Sequence, residues 1–159
     1  MPGNIDSSPA ELFYTDLVAE LYEPLAGGLP VVEPYQRFLD RYGGPALELG
    51  CGTGIPLLEL LTLGYDVEGL DASADMLALC RRKAEFQNLA PVLHEGLFQS
   101  FQLNKKFRSI YVPSASFTLL TNDEDALATL VRIYEHLESG GAAYIPLEVF
   151  DADDIKIAT

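Results

Sequence analysis

Short apolar runs alternate with amphipathic stretches along most of the chain. The apolar runs predict buried β-strands, and the stretches between them carry apolar residues at three- and four-residue spacing, which predicts helices. The predicted strands are Ala46–Leu49, Val67–Leu70, Pro91–Glu95, Ser109–Pro113 and Ala142–Val149. The helices between them are predicted at Gly54–Leu63, from an N-cap at Ser73 to Phe86, and from a capping box at Thr121 to Leu137.

Two further helices are predicted before the first strand. A capping box at 8–11 with Pro9 at the first helical position begins one helix, and a second covers Val32–Arg41. We therefore expect residues 1–44 to form a helical segment packed on an α/β domain of residues 45–159, giving one structural domain.

Regular alternation of strands and helices predicts a parallel sheet with helices on both faces. With right-handed crossovers and a switch between strands one and four, the expected strand order is 3-2-1-4-5. This is a doubly wound, Rossmann-like fold, in which ligands bind at the carboxyl ends of the strands.

The first predicted strand leads directly into Glu48-x-Gly50-x-Gly52-x-Gly54, and the second ends at Asp71, 21 residues after Gly50. Glycines allow sharp turns and close approach of a ligand to the backbone. This combination resembles the cofactor-binding half of a class I S-adenosylmethionine-dependent methyltransferase, over roughly residues 40–150.

Other nucleotide-binding motifs fit less well. A dinucleotide fingerprint reads G-x-G-x-x-G, whereas the third glycine here comes one residue early, and Glu48 would repel a pyrophosphate. The chain has no Gly-Lys-Ser/Thr sequence, which excludes a P-loop. A nicotinamide-dependent oxidoreductase is therefore a less favoured alternative.

The resemblance implies S-adenosyl-L-methionine as cofactor and suggests the residues around it. Glu48 would face the ammonium of the methionine moiety, Asp71 would accept the ribose hydroxyls, and Met76 would touch adenine or simply fill the core. Leu97 occupies the position where the family usually has an acid for the adenine amino group. The full expected cofactor set is Glu48, Gly50, Cys51, Gly52, Gly54, Asp71, Ala72, Met76, Leu97, Phe98 and Pro113, with Tyr14 and Tyr22 from the leading helix.

The loop after strand four lies beside the reactive methyl group in related enzymes. Ser114 and Ser116 therefore become candidate substrate-contacting residues, although an ordinary turn explains Ser116 nearly as well. The sequence identifies no catalytic acid or base. Methyl transfer from a sulfonium depends mainly on alignment of the acceptor and exclusion of water.

The amino-acid composition limits the kinds of molecule that the chain is expected to bind. The 159 residues include 24 acidic and 10 basic side chains, for a net charge of −14, which disfavours a nucleic-acid partner. No apolar stretch is long enough for a membrane span, and the two cysteines fit reduced thiols in the cytoplasm. His94 and His136 form no metal-binding pair, and His136 is expected at the surface near a helix end.

The sequence thus favours a methyltransferase acting on a small-molecule acceptor. The family pattern continues with a further helix and two strands after strand five, whereas only Asp151–Thr159 remain here. We therefore expect a fragment or a truncated form, and the alternative function is a cofactor-binding or oligomerising remnant without turnover. An exposed strand-five edge would favour homodimerisation.

Overall fold

The structure of the protein, a computed structural model, describes residues 32–147. The predicted first helix, with Tyr14 and Tyr22, and the expected end of strand five lie outside the described residues.

The strands form one parallel five-stranded sheet in the order β3-β2-β1-β4-β5, which confirms the predicted topology. The central strand β1 pairs with both β2 and β4, and all four of its residues are buried. The switch in connection order therefore falls between β1 and β4, where a ligand cleft is expected. The strands are β1 Ala46–Leu49, β2 Val67–Asp71, β3 Leu93–Glu95, β4 Phe107–Tyr111 and β5 Leu137–Tyr144.

Four α-helices and one 3-10 turn cover the sheet in the described part of the chain. Ser73 caps one helix by accepting a hydrogen bond from the backbone N–H of Met76, as predicted. The next helix is capped by Asn122 and not by Thr121, because the Asn122 side chain accepts from the N–H of Asp125. The helices are α1 Glu33–Tyr42, α2 Leu57–Thr62, α3 Ala74–Phe86 and α4 Asp123–His136, with the 3-10 turn at Ser116–Leu119.

Each face of the sheet has its own apolar core, as a doubly wound fold requires. On one face, α1, α2 and α3 pack over residues such as Ala46 and Val67. On the other, α4 and the segment 97–103 pack over Leu47, Leu49 and Leu70. Successive residues of β1 alternate between the two cores, so Glu48 faces the same side as Ala46.

Several predicted boundaries were wrong. Helix α2 begins at Leu57 and not at Gly54, because residues 52–56 form turns in which Gly54 has a φ of +96°. Strand β4 lies earlier than the predicted Ser109–Pro113, and β3 is shorter than predicted.

The largest boundary error concerns β5, which begins at Leu137 directly after α4. Ser139-Gly140-Gly141 was expected to separate the two elements. Instead, the register is irregular where Leu137 pairs with Phe107 and Ala142 pairs with Ser109, and Gly140 takes a φ of +73°. The glycines thus form an irregularity within the strand rather than a break before it.

Candidate cofactor site

The glycine loop links β1 to α2 at the carboxyl end of the sheet. Gly50, Gly52 and Gly54 all have positive φ, at +83°, +51° and +96°. A Cβ on Gly52 would meet only the Met76 Cε atom, 3.9 Å away, so the space beside this backbone is open. A Cβ on Gly54 would lie 2.8 Å from Cys80 Sγ and from Leu58 Cγ. The positive φ favours glycine at both positions, and at 54 packing requires it as well.

Gly50 lies beneath two of the predicted site residues. A Cβ there would come within 3.0 Å of the Phe98 ring and 3.5 Å of Ser116 Cβ. The structure thus brings Phe98, from the segment after β3, and Ser116, from the segment after β4, to the glycine loop. Phe98 is buried, whereas Ser116 is partly exposed.

Asp71, the last residue of β2, anchors the glycine loop. Its Oδ2 accepts from the Gly52 N–H at 2.8 Å, and its Oδ1 accepts from the Ser73 N–H at 2.9 Å. Burial raises the pKa of Asp71, although the backbone N–H groups of Ser73, Gly52 and Ala72 oppose that effect. Each oxygen keeps a second lone pair for another donor, so the carboxylate can hold the loop and accept from a ligand.

Glu48, at the carboxyl end of β1 just before the glycine loop, is fully buried. Its Oε2 accepts from the Tyr111 hydroxyl at 2.6 Å, and its Oε1 is buried without a hydrogen-bond partner in the described part of the chain. Burial raises the pKa of Glu48 to about 8, and the negative charge of Asp71 adds to that effect. An unpaired carboxylate oxygen at such a position is unusual and indicates a missing donor or cation.

Tyr35 on α1 lies beside the candidate site residues Ser114 and Glu48, and it was not predicted from the sequence. Its hydroxyl accepts a hydrogen bond from the backbone N–H of Ser114 at 3.0 Å, and its ring centroid lies 5.2 Å from that of Tyr111. Desolvation raises the pKa of Tyr35. The only sequence signal was an aromatic residue on the apolar face of a helix, which packing alone would explain.

The turn after β4 has a strained backbone. Ser114 and Ala115 both take left-handed conformations, with φ of 52° and 53°, which costs non-glycine residues energy. Pro113 is buried, while Ser114 is exposed. The bond from Ser114 to Tyr35 holds this turn against α1.

The other predicted site residues occupy varied surroundings. Met76 is buried with its Cε below Gly52, and Cys51 is buried with its Sγ at the position that a Cβ on Gly69 would need. Ala72 and Leu97 are partly exposed. Their contacts with a cofactor stay predictions.

The expectation that His136 lies at the surface was wrong. It is only 2% exposed, its Nδ1 lies 2.7 Å from the Arg132 carbonyl oxygen, and its Nε2 accepts from the Leu103 N–H. Its ring also packs 4.5 Å from that of Phe101. Both nitrogens are thus satisfied inside the core, which removes the cost of burial.

His94 also has a structural partner. It lies 2.7 Å from Glu68 Oε2, and Lys105 binds the other oxygen of the same carboxylate. Burial acts to raise the pKa of Glu68, but Lys105 and His94 outweigh it and lower the pKa. Within residues 32–147, no group of histidine, cysteine or acidic side chains is arranged to hold a metal ion.

The described helices include none that is long and apolar enough to cross a membrane. Cys51 and Cys80 are both buried free thiols. Burial raises the pKa of each, that of Cys80 to about 12, so neither is an activated nucleophile.

Comparison with known proteins gives consistent matches. A family model described as a methyltransferase domain matches residues 46–141. A cypemycin N-terminal methyltransferase from a Streptomyces species is 32% identical over 144 residues, which cover 91% of this chain and 56% of the relative. A dTDP-3-amino-3,6-dideoxy-alpha-D-glucopyranose N,N-dimethyltransferase from Streptomyces fradiae is 34% identical over 142 residues, covering 83% of this chain and 53% of the relative.

Solved structures of methyltransferases also resemble this chain. The CcbJ methyltransferase from Streptomyces caelestis superposes with a TM-score of 0.74 at 28% identity, covering 84% of this chain and 56% of that one. The glycopeptide N-methyltransferase MtfA complexed with S-adenosyl-L-methionine gives a TM-score of 0.63 at 30% identity, covering 74% and 50%. The chain therefore spans about half the length of the relatives it matches.

Proposed function

Because this chain belongs to the class I S-adenosylmethionine-dependent methyltransferases, we propose that it binds S-adenosyl-L-methionine and transfers the methyl group to a small-molecule acceptor. The cofactor would lie across the carboxyl ends of β1, β2 and β4, where the strand order switches.

The observation that carries this proposal is the pairing of an open glycine backbone with an unsatisfied acid just before it. The space beside Gly52 is free, and the loop is fixed in advance by Asp71. Just before the loop, Glu48 Oε1 lacks a partner. A ligand with a neutral thioether or sulfonium centre and an ammonium group fits this pair, whereas a pyrophosphate would oppose both carboxylates.

Different residues of the chain would contact different parts of the cofactor. Glu48 would face the methionine ammonium and Asp71 the ribose hydroxyls. The adenine would lie against apolar side chains and backbone, drawn from Ala72, Met76, Leu97 and Phe98. When bound, the cofactor supplies an activated methyl group on a sulfonium, so the protein mainly aligns the acceptor and excludes water.

The acceptor is best assigned to the amine class. One relative is named a cypemycin N-terminal methyltransferase, and another is named an N,N-dimethyltransferase of a dTDP-3-amino-3,6-dideoxy-glucopyranose. In this chain, the acceptor would approach from the turn after β4, where Ser114 is exposed and Ser116 borders the glycine loop. Tyr14 and Tyr22 stay candidates for covering the cofactor. The net charge of −14 opposes a nucleic-acid acceptor.

The free cysteines support a reducing compartment, and we place the protein in the cytoplasm on that ground.

A ligand panel tests the proposal. Thermal unfolding is followed with S-adenosylmethionine, S-adenosylhomocysteine and NAD, each in excess. A ligand at 100 times its dissociation constant adds about 2.7 kcal/mol to the free energy of unfolding. We expect stabilisation by the first two ligands and none by NAD. Stabilisation by NAD alone would favour the oxidoreductase alternative and overturn the proposal.

A second candidate function is a cofactor-binding module that associates with another copy. One observation favours it: α4 exposes apolar residues next to the edge strand β5 of the described sheet. These residues are Leu127, Leu130, Val131 and Tyr134, here called the α4 stripe, and they are 42–79% exposed. Assay of methyl transfer to simple amines separates the two functions, since the module would bind cofactor without turnover.

A further inference from the structure

Glu48 is an acid buried without a counter-charge. It has no exposed surface, and one of its oxygens accepts a hydrogen bond from Tyr111 while the other has no partner in the described part of the chain. Burial of an ionised carboxylate in such a place has a large desolvation free energy, and one hydrogen bond from a hydroxyl does not offset it.

The ionisable groups around Glu48 are neutral or acidic. Within residues 32–147 they are Tyr111 of β4, Tyr35 of α1, Asp71 of β2, Cys80 of α3 and Cys51 of the glycine loop. On α2, the charged residue Glu59 is exposed. The Leu57 backbone N–H acts to lower the pKa of Glu48, but it does not lie in hydrogen-bond geometry with the free oxygen Oε1.

No lysine or arginine of the described part of the chain is among the groups that act on Glu48. Lys83 on α3 donates to the Thr53 hydroxyl, and Arg81 is exposed. Outside the described residues, segment 1–31 contains no lysine, arginine or histidine, and segment 148–159 contains one lysine, Lys156. With its pKa raised to about 8 by burial, Glu48 is mostly neutral at pH 7.

We propose that Glu48 carries a proton in the free protein and loses it to solvent when S-adenosylmethionine binds, so that its carboxylate becomes the counter-charge of the cofactor's ammonium group. This inference rests on the proposed function, since it requires the methionine end of the cofactor above Glu48. The ammonium supplies the missing cation, and the ionised state becomes the favoured one.

Proton release makes binding depend on pH. Below its pKa in the free protein, Glu48 must give up a proton for each cofactor bound, so affinity falls as the pH is lowered. We expect the affinity for S-adenosylhomocysteine, which carries the same ammonium group, to rise about tenfold or more between about pH 6 and pH 8. 5′-Methylthioadenosine lacks both the ammonium and the carboxylate of the amino-acid part, so its affinity should stay nearly constant.

Isothermal titration calorimetry in two buffers measures the proton directly. Phosphate and Tris at the same pH differ strongly in protonation enthalpy, so a released proton makes the apparent binding enthalpy differ between them. At pH 7 we expect this difference for S-adenosylhomocysteine and not for 5′-methylthioadenosine. The difference should shrink at about pH 9, where Glu48 is already ionised.

Two variants assign the proton to its residue. Glu48→Gln cannot release a proton, so its binding enthalpy for S-adenosylhomocysteine should be the same in both buffers. Glu59→Gln removes an exposed acid on α2 and should keep the wild-type difference. If Glu48→Gln binds too weakly for calorimetry, the comparison of the two ligands across pH with the wild-type protein decides instead.

The possible outcomes distinguish failure of the proton-release inference from failure of the proposed function. Binding of S-adenosylhomocysteine without a buffer-dependent enthalpy, or with the same dependence in Glu48→Gln, overturns proton release and leaves cofactor binding standing. Failure of both ligands to bind overturns the proposed function and this inference together.

Discussion

Gly52 and Gly54 both have positive φ, but only Gly54 has protein atoms where a Cβ would lie. Gly64, in the turn after α2, offers a control, since its φ is +91° and nothing lies within 4 Å of its Cβ position. We expect Gly52→Ala and Gly64→Ala each to lose about 1 kcal/mol of stability from backbone strain. Only Gly52→Ala should also weaken binding of S-adenosylhomocysteine, by about tenfold or more.

Urea denaturation and calorimetric titration check this pair. Gly54→Ala provides the opposite case, because its Cβ would clash with Cys80 and Leu58 and should cost more stability than either of the other two changes. Unchanged affinity in Gly52→Ala would show that the open space beside this glycine is not ligand space.

Glu48 also affects the stability of the free protein. Its pKa is raised from 4.5 to about 8 by burial, so the folded state holds its proton over a pH range in which the unfolded state has lost it. Stability from this group is therefore fully present below about pH 4.5 and is lost as the pH rises through about 8. We expect Glu48→Gln to be more stable than the wild type at about pH 9, by roughly 2–4 kcal/mol, and similar to it at about pH 5.

Urea unfolding of both proteins at the two pH values measures this difference. The contrary result is a difference in stability between wild type and Glu48→Gln that is the same at pH 9 as at pH 5. That result would show that other groups already compensate the charge of the buried carboxylate.

Among single residues, the sequence indicated Glu48, Asp71 and the glycines as candidate site residues. They lie close together along the chain or at the ends of neighbouring strands. It did not indicate Tyr35, which meets Ser114 across 79 residues of sequence. It misplaced His136 because the N–H group that satisfies the buried ring comes from Leu103, a partner that no local pattern reveals.

Among the elements, α1 is joined to the turn after β4 by a hydrogen bond. The Tyr35 hydroxyl accepts from the Ser114 N–H, and Ser114 and Ala115 are held in left-handed conformations. Tyr35→Phe removes this acceptor and should cost about 1 kcal/mol in local stability, which makes amide exchange in the turn at 113–119 about fivefold faster.

Hydrogen-exchange mass spectrometry of the free protein measures that change. Tyr65→Phe is the control, since the Tyr65 hydroxyl donates to Asp40 at the exposed surface, away from this turn. Equal exchange of the turn in wild type and Tyr35→Phe would mean that packing alone holds it.

The starts of β1 and β2 were predicted correctly, and the start of the edge strand β5 was not. Both β1 and β2 are short, buried segments between clear turn signals, so their predicted starts were correct. For β5, the turn signal of Ser139-Gly140-Gly141 was misleading, because pairing with β4 draws the glycines into the strand as an irregularity. Tertiary pairing thus overrides the local preference of glycine for turns.

For the molecule as a whole, the sheet edge and the α4 stripe predict self-association. The charge of −14 opposes contact between copies at low salt, and salt screens that repulsion. We expect dimers to increase with protein concentration at raised salt. Tyr134→Glu, within the stripe, should favour the monomer, whereas Phe86→Glu should not, because Phe86 is 91% exposed on α3, outside the stripe.

Light scattering coupled to size exclusion measures the species present. A monomer at every salt and protein concentration would rule out the β5 edge and the stripe as an interface. Equal dimerisation of the two variants would move the interface elsewhere.

The topology of the whole sheet could be predicted because few arrangements satisfy right-handed crossovers with helices on both faces. The order 3-2-1-4-5 is the one observed. The same reasoning does not identify the acceptor, since acceptor contacts depend on loops whose conformation comes from long-range bonds such as that of Tyr35.

The most direct test of cofactor binding at the carboxyl ends of β1 and β2 is a calorimetric titration of the 159-residue chain with S-adenosylhomocysteine. The matched variants are Asp71→Ala and Asp66→Ala, the second of which removes an exposed acid just before β2. We expect one ligand per chain, an affinity lowered about tenfold or more in Asp71→Ala, and no change in Asp66→Ala. The absence of binding by the wild type, or equal affinity in wild type and Asp71→Ala, would contradict the assignment of this site.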